Sequence, residues 1–588
     1  MEAGELSAKP MENYEIAAVF EEIASVLRIL QDDPKWAFKA VAYERAKRSI
    51  EGYPQRLEEV ARDPNRKLTD IPGVGADLAV KIDELLRTGK LQYLEEKFQK
   101  IPRSLLDLLH IQTVGPQKVR LFYQALGIRN LEELEAAARA QKLRDLPGMS
   151  AKSEENILKA LGGLKQATGR FRLDVAYETA ERLGHHIREF KGVEEVTPAG
   201  SLRRGRETVG DLDLLVTGSG LEKIGDHLVK FPEVAEVLAK GGDKVSFKLT
   251  SGMQVDVRIL PPESYGAALQ YFTGSKEHNV ILRDRAKRRG LKLSEYGLYR
   301  DERSIAGRTE EEIYRELGLP WIPAELREAM GEIEAAEEGR LPDLVELKDI
   351  RGDLQMHTTA SDGKTSVEEM AAAAKKLGYR YILITDHSKA VTIAKGLDEK
   401  RAREHIKRIH AARKKVSGIE IWAGTEVDIL GDGTLDYPDE LLAQFDIVLA
   451  SVHSKMTQPG EEMTARLLKA LENPYVRILG HPTGRRILSR DPFNFDVEKV
   501  FESAQKHGVI LEINASPERL DLSDRHARLV HDKGMKVVIS TDAHQPKHFD
   551  LMRYGVITAR RGWTERRDVI NTYKPEKLLQ CLRPLPKP

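Results

Sequence analysis

Gly200-Ser201-Leu202-Arg203-Arg204-Gly205-Arg206-Glu207-Thr208-Val209-Gly210-Asp211-Leu212-Asp213 is the stretch on which the reading of this chain turns. It runs on into Leu214-Leu215-Val216, and the alternation of Asp211 and Asp213 with Leu212 and Leu214 predicts a strand with two carboxylates on one face and leucines on the other. Val255-Asp256-Val257 repeats the pattern on a second predicted strand. A third carboxylate beside the pair makes a place for two Mg²⁺ ions roughly 3.5 to 4 Å apart. Taken alone, Asp-x-Asp fits a solvated strand face or a turn more readily. The residues upstream change that balance: a Gly-Ser turn opens backbone N–H groups and a hydroxyl toward phosphate oxygens, and Arg204 adds a forked, charge-assisted contact.

The order Gly-Ser, Arg-Arg-Gly, Gly-Asp-x-Asp resembles the signature of the family X DNA polymerases, with matching spacing throughout. The resemblance implies a nucleotidyltransferase palm in which Asp211, Asp213 and Asp256 are catalytic and hold Mg²⁺ or Mn²⁺, while Gly200, Ser201, Arg204 and Gly210 bind the triphosphate. Downstream, Tyr271-Phe272-Thr273-Gly274-Ser275 with Asn279 and Arg283 resembles the family's nucleotide-binding segment over Leu260 to Leu298. An aromatic pair at a glycine turn can pack on the incoming sugar, and Gly274 permits close approach. By resemblance, Asn279 contacts the base edge and Arg283 the template strand. Without that context, Tyr271 and Phe272 read as ordinary core.

Toward the N-terminus, the first 170 residues read as helical, with amphipathic segments at Tyr14 to Leu30 and Trp36 to Ile50. Three glycine-containing turns, Ile71-Pro72-Gly73-Val74-Gly75, Thr113-Val114-Gly115-Pro116 and Leu146-Pro147-Gly148-Met149, each precede a helix. Gly73, Gly75, Val114 and Gly115 look like helix-hairpin-helix elements, which aim backbone amides at a DNA phosphate without reading bases, and Gly148 marks a third candidate. Ile71 to Lys90 also resembles the lyase domain of DNA polymerase beta, with Lys81 where that family has its Schiff-base lysine. Tyr43 and Lys39 match the pattern, but Asp77 replaces a second lysine and Phe38 a histidine, so a lysine on a DNA-binding helix is the competing reading.

Toward the C-terminus, Glu325 to Lys348 is acidic and alanine-rich and reads as a connecting helix plus linker. Beyond it, short apolar runs at Tyr381–Thr385, Asp446–Ser451, Val509–Asn514 and Lys536–Thr541 alternate with helices, the pattern of an α/β barrel. Gln355-Met356-His357, Ser361-Asp362-Gly363, Thr385-Asp386-His387, Glu426-Val427-Asp428, Val452-His453-Ser454, Gly480-His481-Pro482 and Asp542-Ala543-His544 together resemble the polymerase and histidinol phosphatase (PHP) domain, a distorted (β/α)7 barrel. The resemblance implies two or three Mn²⁺ or Zn²⁺ ions: His357, Glu426 and Asp542 on one, Glu426, His453 and His481 on a second, and Asp362, His387 and His544 on a third. It further implies 3′–5′ exonuclease, 3′-phosphatase and abasic-site endonuclease activities. One departure stands out: the family opens with His-x-His, and here Gln355 takes the first place. His405, His410, His507, His526, His531 and His548 read as surface or satisfied core residues.

The expected architecture is thus multidomain, α+β and α/β: a lyase-like helical DNA-binding domain over 1–95, a second helical subdomain over 96–170, the palm over 171–262, a nucleotide-binding subdomain over 263–324, the linker over 325–348 and the PHP domain over 349–588. A length of 588 residues demands several cores. With 93 basic and 93 acidic residues, bulk charge gives no attraction to a polyanion, so DNA binding must come from local sites such as Arg283 to Gly290. The single cysteine, Cys581, excludes an intrachain disulfide and a cysteine-rich zinc site. There is no apolar run of membrane-spanning length, and Met1 to Pro10 has no apolar signal core, so a cytoplasmic protein is expected. The sequence therefore predicts a monomeric repair polymerase that fills short gaps in base excision repair, using gapped or primer-template DNA and deoxynucleoside triphosphates. Its rivals are a PHP phosphoesterase with a DNA-binding adaptor and a catalytically silent DNA-end scaffold.

Overall fold

A computed structural model describes residue 11 and residues 13–31, 34–51, 53, 57–63, 66–111, 114–164 and 169–582; Met1 to Pro10 and Thr113 of the second glycine turn lie outside it. The chain divides into two compact units, residues 1–169 and 170–588.

The first unit is helical. In α1 (Asn13–Leu30), Ile16, Phe20, Ile23 and Leu27 recur at helical spacing and are buried with Tyr43 and Ala46 of α2 (Trp36–Glu51). The three glycine turns share one hydrogen bond: the amide of Val74 donates to the Ile71 carbonyl at 3.0 Å, Val114 to Ile111 at 2.9 Å, and Met149 to Leu146 at 3.0 Å. They lead into α3 (Ala76–Thr88), α4 (Pro116–Leu126) and α5 (Ala151–Leu164). Gly73 and Gly148 hold equivalent places with φ of +82° and +74°, which an L side chain seldom adopts. The third turn is therefore built like the first.

The second unit begins with α6 (Leu173–Arg188), which lies on the apolar face of the palm sheet. The strands are β1 (Val193–Pro198), β2 (Asp211–Gly218), β3 (Val234–Lys240), β4 (Lys244–Leu249) and β5 (Gln254–Leu260), in the order β1-β2-β5-β4-β3. β2 and β5 run parallel and the other neighbours antiparallel. Leu212, Leu214, Val255 and Val257 are buried against Leu173, Leu183 and Ile187 of α6, so the aspartates between them occupy the other face. The adjoining subdomain carries α7 (Tyr265–Thr273), α8 (Lys276–Arg288) and a three-stranded sheet.

The stretch 325–348, expected as a linker, does contain its connecting helix, Glu332–Glu337, but it is packed rather than free. Leu326, Ile333, Ala335 and Ala336 share a core with Ile313, Leu317 and Trp563. Arg327 is fully buried against Glu310, whose two oxygens also receive Arg203 at 2.7 and 2.8 Å. The alanines that suggested a loose connector instead lie buried in this core.

The C-terminal strands β6 (Gly352–Asp353), β7 (Tyr381–Ile384), β8 (Glu420–Asp428), β9 (Ile447–Ser451), β10 (Val476–Leu479), β11 (Ile510–Asn514) and β12 (Val537–Ser540) pair in sequence order, all parallel. A bridge between Met356 and Ala543 joins the first strand's end to the last, nearly closing a barrel. Palm and barrel share buried surface: Ile487, Leu520 and Tyr554 lie in one apolar cluster with Leu173, Leu202 and Val209. Arg561 joins them by polar contacts, reaching Glu328 at 3.0 Å and the Arg204 carbonyl at 2.7 Å.

Arg327→Ala removes the one cation wholly buried against Glu310 and vacates core volume. It is expected to destabilise the second unit by about 3–5 kcal/mol, read as a lowered urea midpoint of the full-length chain.

Candidate active sites

In the palm, the parallel register sets Asp213 directly across from Asp256, with Asp211 two residues along the same face of β2. The glycine of the Gly-Ser turn is tied to this acid: at φ +59°, a Cβ on Gly200 would fall 2.6 Å from Asp213 Oδ2. Burial, with the neighbouring Asp211 and Asp256 carboxylates, pushes Asp213 up to about 6. Asp256 moves the other way. Burial opposes its ionisation, but the Ser246 hydroxyl donating at 2.5 Å and the Lys244 ammonium at 3.1 Å outweigh it and hold the carboxyl below its ordinary value. Lys244 and Ser246, alternate residues on β4, escaped the sequence reading because only register places them beside Asp256.

This donor set suits a hard divalent ion, which would relieve the repulsion that Asp213 experiences. Its carboxylates are nonetheless looser than the histidine cluster. Among the described residues, the groups whose ligand atoms all lie within 4.8 Å of one another are in the barrel and at His186, Glu189 and His227, not at the palm aspartates.

The expected nucleotide contacts are assembled around the same face but engaged with each other. Arg204 donates to Glu328 at 2.9 Å and to the Thr273 carbonyl at 2.7 Å. Asn279 donates to the carbonyls of Tyr271 at 2.6 Å and Gly274 at 3.2 Å, so it shapes the Tyr-Phe-Thr-Gly turn. Phe272 lies under the Arg258 guanidinium at 4.1 Å and meets Tyr271 edge-on at 5.1 Å. Arg283 sits one turn beyond Asn279 on α8. Ser201 is the second residue of the short helix Gly200–Arg203, and Gly210 immediately precedes β2. In the first unit, Lys81 Nζ is paired with Asp77 at 2.7 Å and lies 5.2 Å from the Tyr93 ring centre. The residue that replaces the family's second lysine thus occupies the amine.

At the barrel mouth, every histidine and carboxylate expected as a ligand converges. Glu426 lies at the centre: His481 Nε2 is 2.8 Å from it, His453 Nε2 3.2 Å, His387 Nδ1 3.3 Å and His357 Nε2 3.4 Å. His357 also meets Asp542 at 3.0 Å, and Asp362 meets His544 at 3.3 Å and His387 at 3.7 Å. His387 and Glu426 face each other across adjacent parallel strands. Buried ligand atoms remain without hydrogen-bond partners, among them Nδ1 of His357, His387 and His481 and Oε2 of Glu426. Such atoms are costly unless they coordinate something, so the residues fit a cluster of divalent ions. His481 and Asp542 hold positive φ, +26° and +55°, a strain of the kind stored at functional sites.

Around the ligands stand residues to which the sequence reading gave no role. Asp428 accepts from the His453 amide at 2.9 Å and faces its Nδ1 at 3.1 Å, turning Nε2 toward Glu426. Asp386 takes the Thr358 amide at 2.9 Å, the Ser361 hydroxyl at 2.5 Å and His405 at 2.8 Å, clamping the loop between His357 and Asp362. Burial opposes its ionisation, yet His405 and these donors hold it well below the usual carboxylate range. Both acids lie inside motifs already singled out. His405, expected at the surface or as a satisfied core residue, is buried with Nε2 beside Asp386 and Nδ1 without a hydrogen-bond partner. Gln355 is fully buried and faces Asn514 at 3.5 Å, with its own Nε2 unpartnered; Asn514 also donates to Asp542 at 3.2 Å. Glu512 beneath them is pushed well above its ordinary value by burial and by Asp542 and Glu426. Arg519 brings a guanidinium to 3.8 Å from Asp542.

Family profiles match for a helix-hairpin-helix domain over residues 11–91, a SAM-like helix-hairpin-helix tandem over 105–162, the DNA polymerase beta thumb over 268–328 and the PHP domain over 353–516. The DNA polymerase/3′-5′ exonuclease PolX of Bacillus subtilis (strain 168) is 38% identical over 565 residues, covering 95% of this chain and 97% of that protein. DNA polymerase lambda of Arabidopsis thaliana is 26% identical over 349 residues, 53% of this chain and 61% of that protein. A protein named "Probable phosphatase" from Thermoanaerobacter sp. (strain X514) is 32% identical over 213 residues, 34% of this chain and 81% of that protein.

Two expectations follow from the geometry. Because Asp213 is raised from 3.8 to about 6, the folded chain prefers its protonated form. That stability is fully present below about pH 4 and lost as pH rises through 6, an amount of about 3 kcal/mol. Thermal scans in chelator should therefore show Asp213→Asn raising the midpoint at pH 8 and leaving it nearly unchanged at pH 4. Asp428→Ala, by freeing the His453 ring, should weaken Mn²⁺ activation of barrel-dependent hydrolysis about 10- to 100-fold in a metal titration.

Proposed function

The chain belongs to the family X DNA polymerases that carry a C-terminal PHP domain, and on that premise we propose which of its residues perform the polymerase and 3′–5′ exonuclease reactions. The observation that carries the polymerase reading is the parallel pairing of β2 with β5, which brings Asp211, Asp213 and Asp256 onto one face of the palm beside the Gly-Ser turn.

Divalent ions bound by these three carboxylates would activate the primer 3′-hydroxyl and screen the triphosphate and leaving pyrophosphate. Asp213 and Asp211 supply negative charge on one strand while Asp256 faces the primer end. Lys244 and Ser246 keep Asp256 ionised and oriented. Ser201 and the amides of the short helix at Gly200–Arg203 receive phosphate oxygens, and Arg204 joins them on leaving Glu328. Tyr271 and Phe272 pack on the sugar, while Asn279 and Arg283 face the base and template. The three glycine turns of the first unit present backbone amides to DNA phosphates, so the nucleic acid is held without base readout. With Asp77 on its amine, Lys81 is read as part of that DNA-binding surface.

At the barrel mouth, His357, Asp362, His387, Glu426, His453, His481, Asp542 and His544 would hold the ions, Mn²⁺ or Zn²⁺ by their imidazole content, which would supply activated water for phosphoester hydrolysis at a 3′ end. Asp428 and Asp386 fix ligand orientation, and Arg519 draws the phosphate in. Gln355 leaves the first position with an amide where an imidazole is usual, so the His357, Glu426 and Asp542 group binds its ion more weakly than the other two. Gapped or primer-template DNA and deoxynucleoside triphosphates are the substrates, and the chain acts as a cytoplasmic monomer. Among the described residues, no helix is long and apolar enough to cross a membrane. A silent DNA-end scaffold leaves the raised Asp213 and the unpartnered ligand atoms without a purpose.

The two reactions should separate by mutation. On a gapped primer-template with Mg²⁺ or Mn²⁺, Asp256→Ala is expected to cut nucleotide incorporation about 10³-fold, some 4 kcal/mol of transition-state stabilisation, while 3′-end digestion continues. His453→Ala should do the reverse. Equal extension by Asp256→Ala and the parent chain would refute the palm assignment, and undiminished digestion by His453→Ala the barrel assignment.

A further inference from the structure

A loop at the barrel mouth carries arginines to which neither reaction gives a role. It follows the ligand His481 and reads Gly484-Arg485-Arg486-Ile487-Leu488-Ser489-Arg490, three arginines and no carboxylate, in a chain whose 93 basic and 93 acidic residues otherwise balance. Its foot stands on the palm. Arg485 pairs with Glu207 at 2.7 Å and donates to the Arg519 carbonyl at 2.9 Å. Ile487 is buried in the palm's apolar cluster, and its amide donates to the Glu518 carbonyl at 2.7 Å. Glu207 precedes Asp211 by four residues, at most about 14 Å of extended chain. At the other end, the Arg519 guanidinium lies 3.8 Å from Asp542. Arg485 thus joins the run into the palm aspartates to the barrel ligands.

Beyond that foot the chain turns tightly. Arg486 and Arg490 exchange main-chain hydrogen bonds of 2.8 Å each way, which makes them directly opposed partners with side chains on one face. Like charges so opposed destabilise the pairing unless opposite charge lies against them. Little does. Arg490 spends Nε and Nη2 on the Gly484 carbonyl, a neutral acceptor, and Arg486 reaches Glu518 at 3.7 Å, a carboxylate that Arg172 shares at 3.3 Å. Burial, with the Arg519 and Arg486 guanidiniums nearby, lowers the Arg490 pKa. At the tip, Leu488 is 47% exposed and holds φ +63°, a strain of the kind kept at functional sites. Nη1 of Arg519 is buried without a hydrogen-bond partner, a donor that is costly until an acceptor reaches it.

We propose that the turn 486–490, with Arg519, binds the single-stranded 3′ segment of DNA between the palm and the barrel, its arginines on phosphates and Leu488 against a base. This rests on the two centres assigned above and adds the surface that connects them. Forked guanidiniums suit phosphate oxygens, and an exposed apolar side chain among them suits the face of an unpaired base. A free phosphate or a single nucleotide held by Arg519 would leave Arg486 and Leu488 unused. A strand along this path relieves the opposed charges and delivers its 3′ end to the barrel mouth without release to solvent.

The test uses the full-length chain, a variant joining Arg486→Ala with Arg490→Ala, and Leu488→Gly, which relaxes the backbone as it removes the side chain; thermal midpoints near the parent's establish folding. Anisotropy of a fluorescent single-stranded oligodeoxynucleotide in chelator reads binding without hydrolysis. The arginine variant should bind about tenfold more weakly, and its slope of log affinity against log salt should be smaller by about 1.4, two phosphate contacts at about 0.7 each. Leu488→Gly should lose about fivefold with the slope unchanged. With Mn²⁺ added, the arginine variant should raise KM for 3′-end digestion of that strand about tenfold at unchanged kcat, while bis(p-nitrophenyl) phosphate, too small to reach the turn, is hydrolysed at the parent's rate. Unchanged affinity and salt slope in the folded arginine variant would overturn the path. Equal losses on both substrates would make the arginines supports of the barrel and overturn it too. A parent chain that hydrolyses neither substrate would remove the barrel assignment instead, and the binding measurement would still decide the path.

Discussion

Carboxylates and imidazoles distant in the chain must be brought together, in the palm against mutual repulsion, and in this chain parallel strand pairing does it. In the palm, the register of β2 and β5 sets Asp213 against Asp256. At the barrel mouth, His387 faces Glu426 across adjacent parallel strands, and Glu426 meets four imidazoles. Main-chain hydrogen bonds fix these positions whether or not the side chains attract one another. The frustration shows in the raised Asp213 and in the buried ligand atoms left without partners. A divalent cation is the species that resolves both, so the scaffold is preorganised for metal chemistry at two places.

The two centres rest on one body. Arg204 and Arg561 both reach Glu328, and palm and barrel share the cluster that contains Ile487, Leu520 and Tyr554. Gly205, at φ +65°, lets the chain pass against Ile557, where a Cβ would fall 2.1 Å away. Glu328 is held below its ordinary value: burial opposes this, and the Arg561 and Arg204 guanidiniums outweigh it. Arg204 is thus both an expected phosphate ligand and a strut of the joint. In that joint Arg204 also donates to the Thr273 carbonyl at the end of α7, so the same side chain links α7 to the residues around Arg561.

Much of this was legible in the amino-acid string. The Asp211 to Asp213 alternation, the three glycine turns and the barrel motifs are local patterns whose spacing maps directly onto strand faces and turn geometry. The third glycine turn was readable too, since Leu146-Pro147-Gly148-Met149 repeats Ile71-Pro72-Gly73-Val74 residue for residue in type. The segment 325–348 misled because acidic and alanine-rich composition describes a solvated connector and equally a close-packed one. Only the position of Arg327 against Glu310 separates the two.

Sequence by itself determined the strand-face and turn patterns, because those follow from periodicity and spacing along one strand or turn, and its motifs carried the resemblance to the family X polymerases and the ligand set that this resemblance implies. Tertiary structure alone decided which groups tune the sites. Lys244 and Ser246 beside Asp256, Asp428 behind His453, Asp77 on Lys81, and Asn514 beside Gln355 depend on register between strands and on helix packing. Those relations join residues distant in the chain or on different turns, and a side chain's environment is set by what packs against it, not by what precedes it.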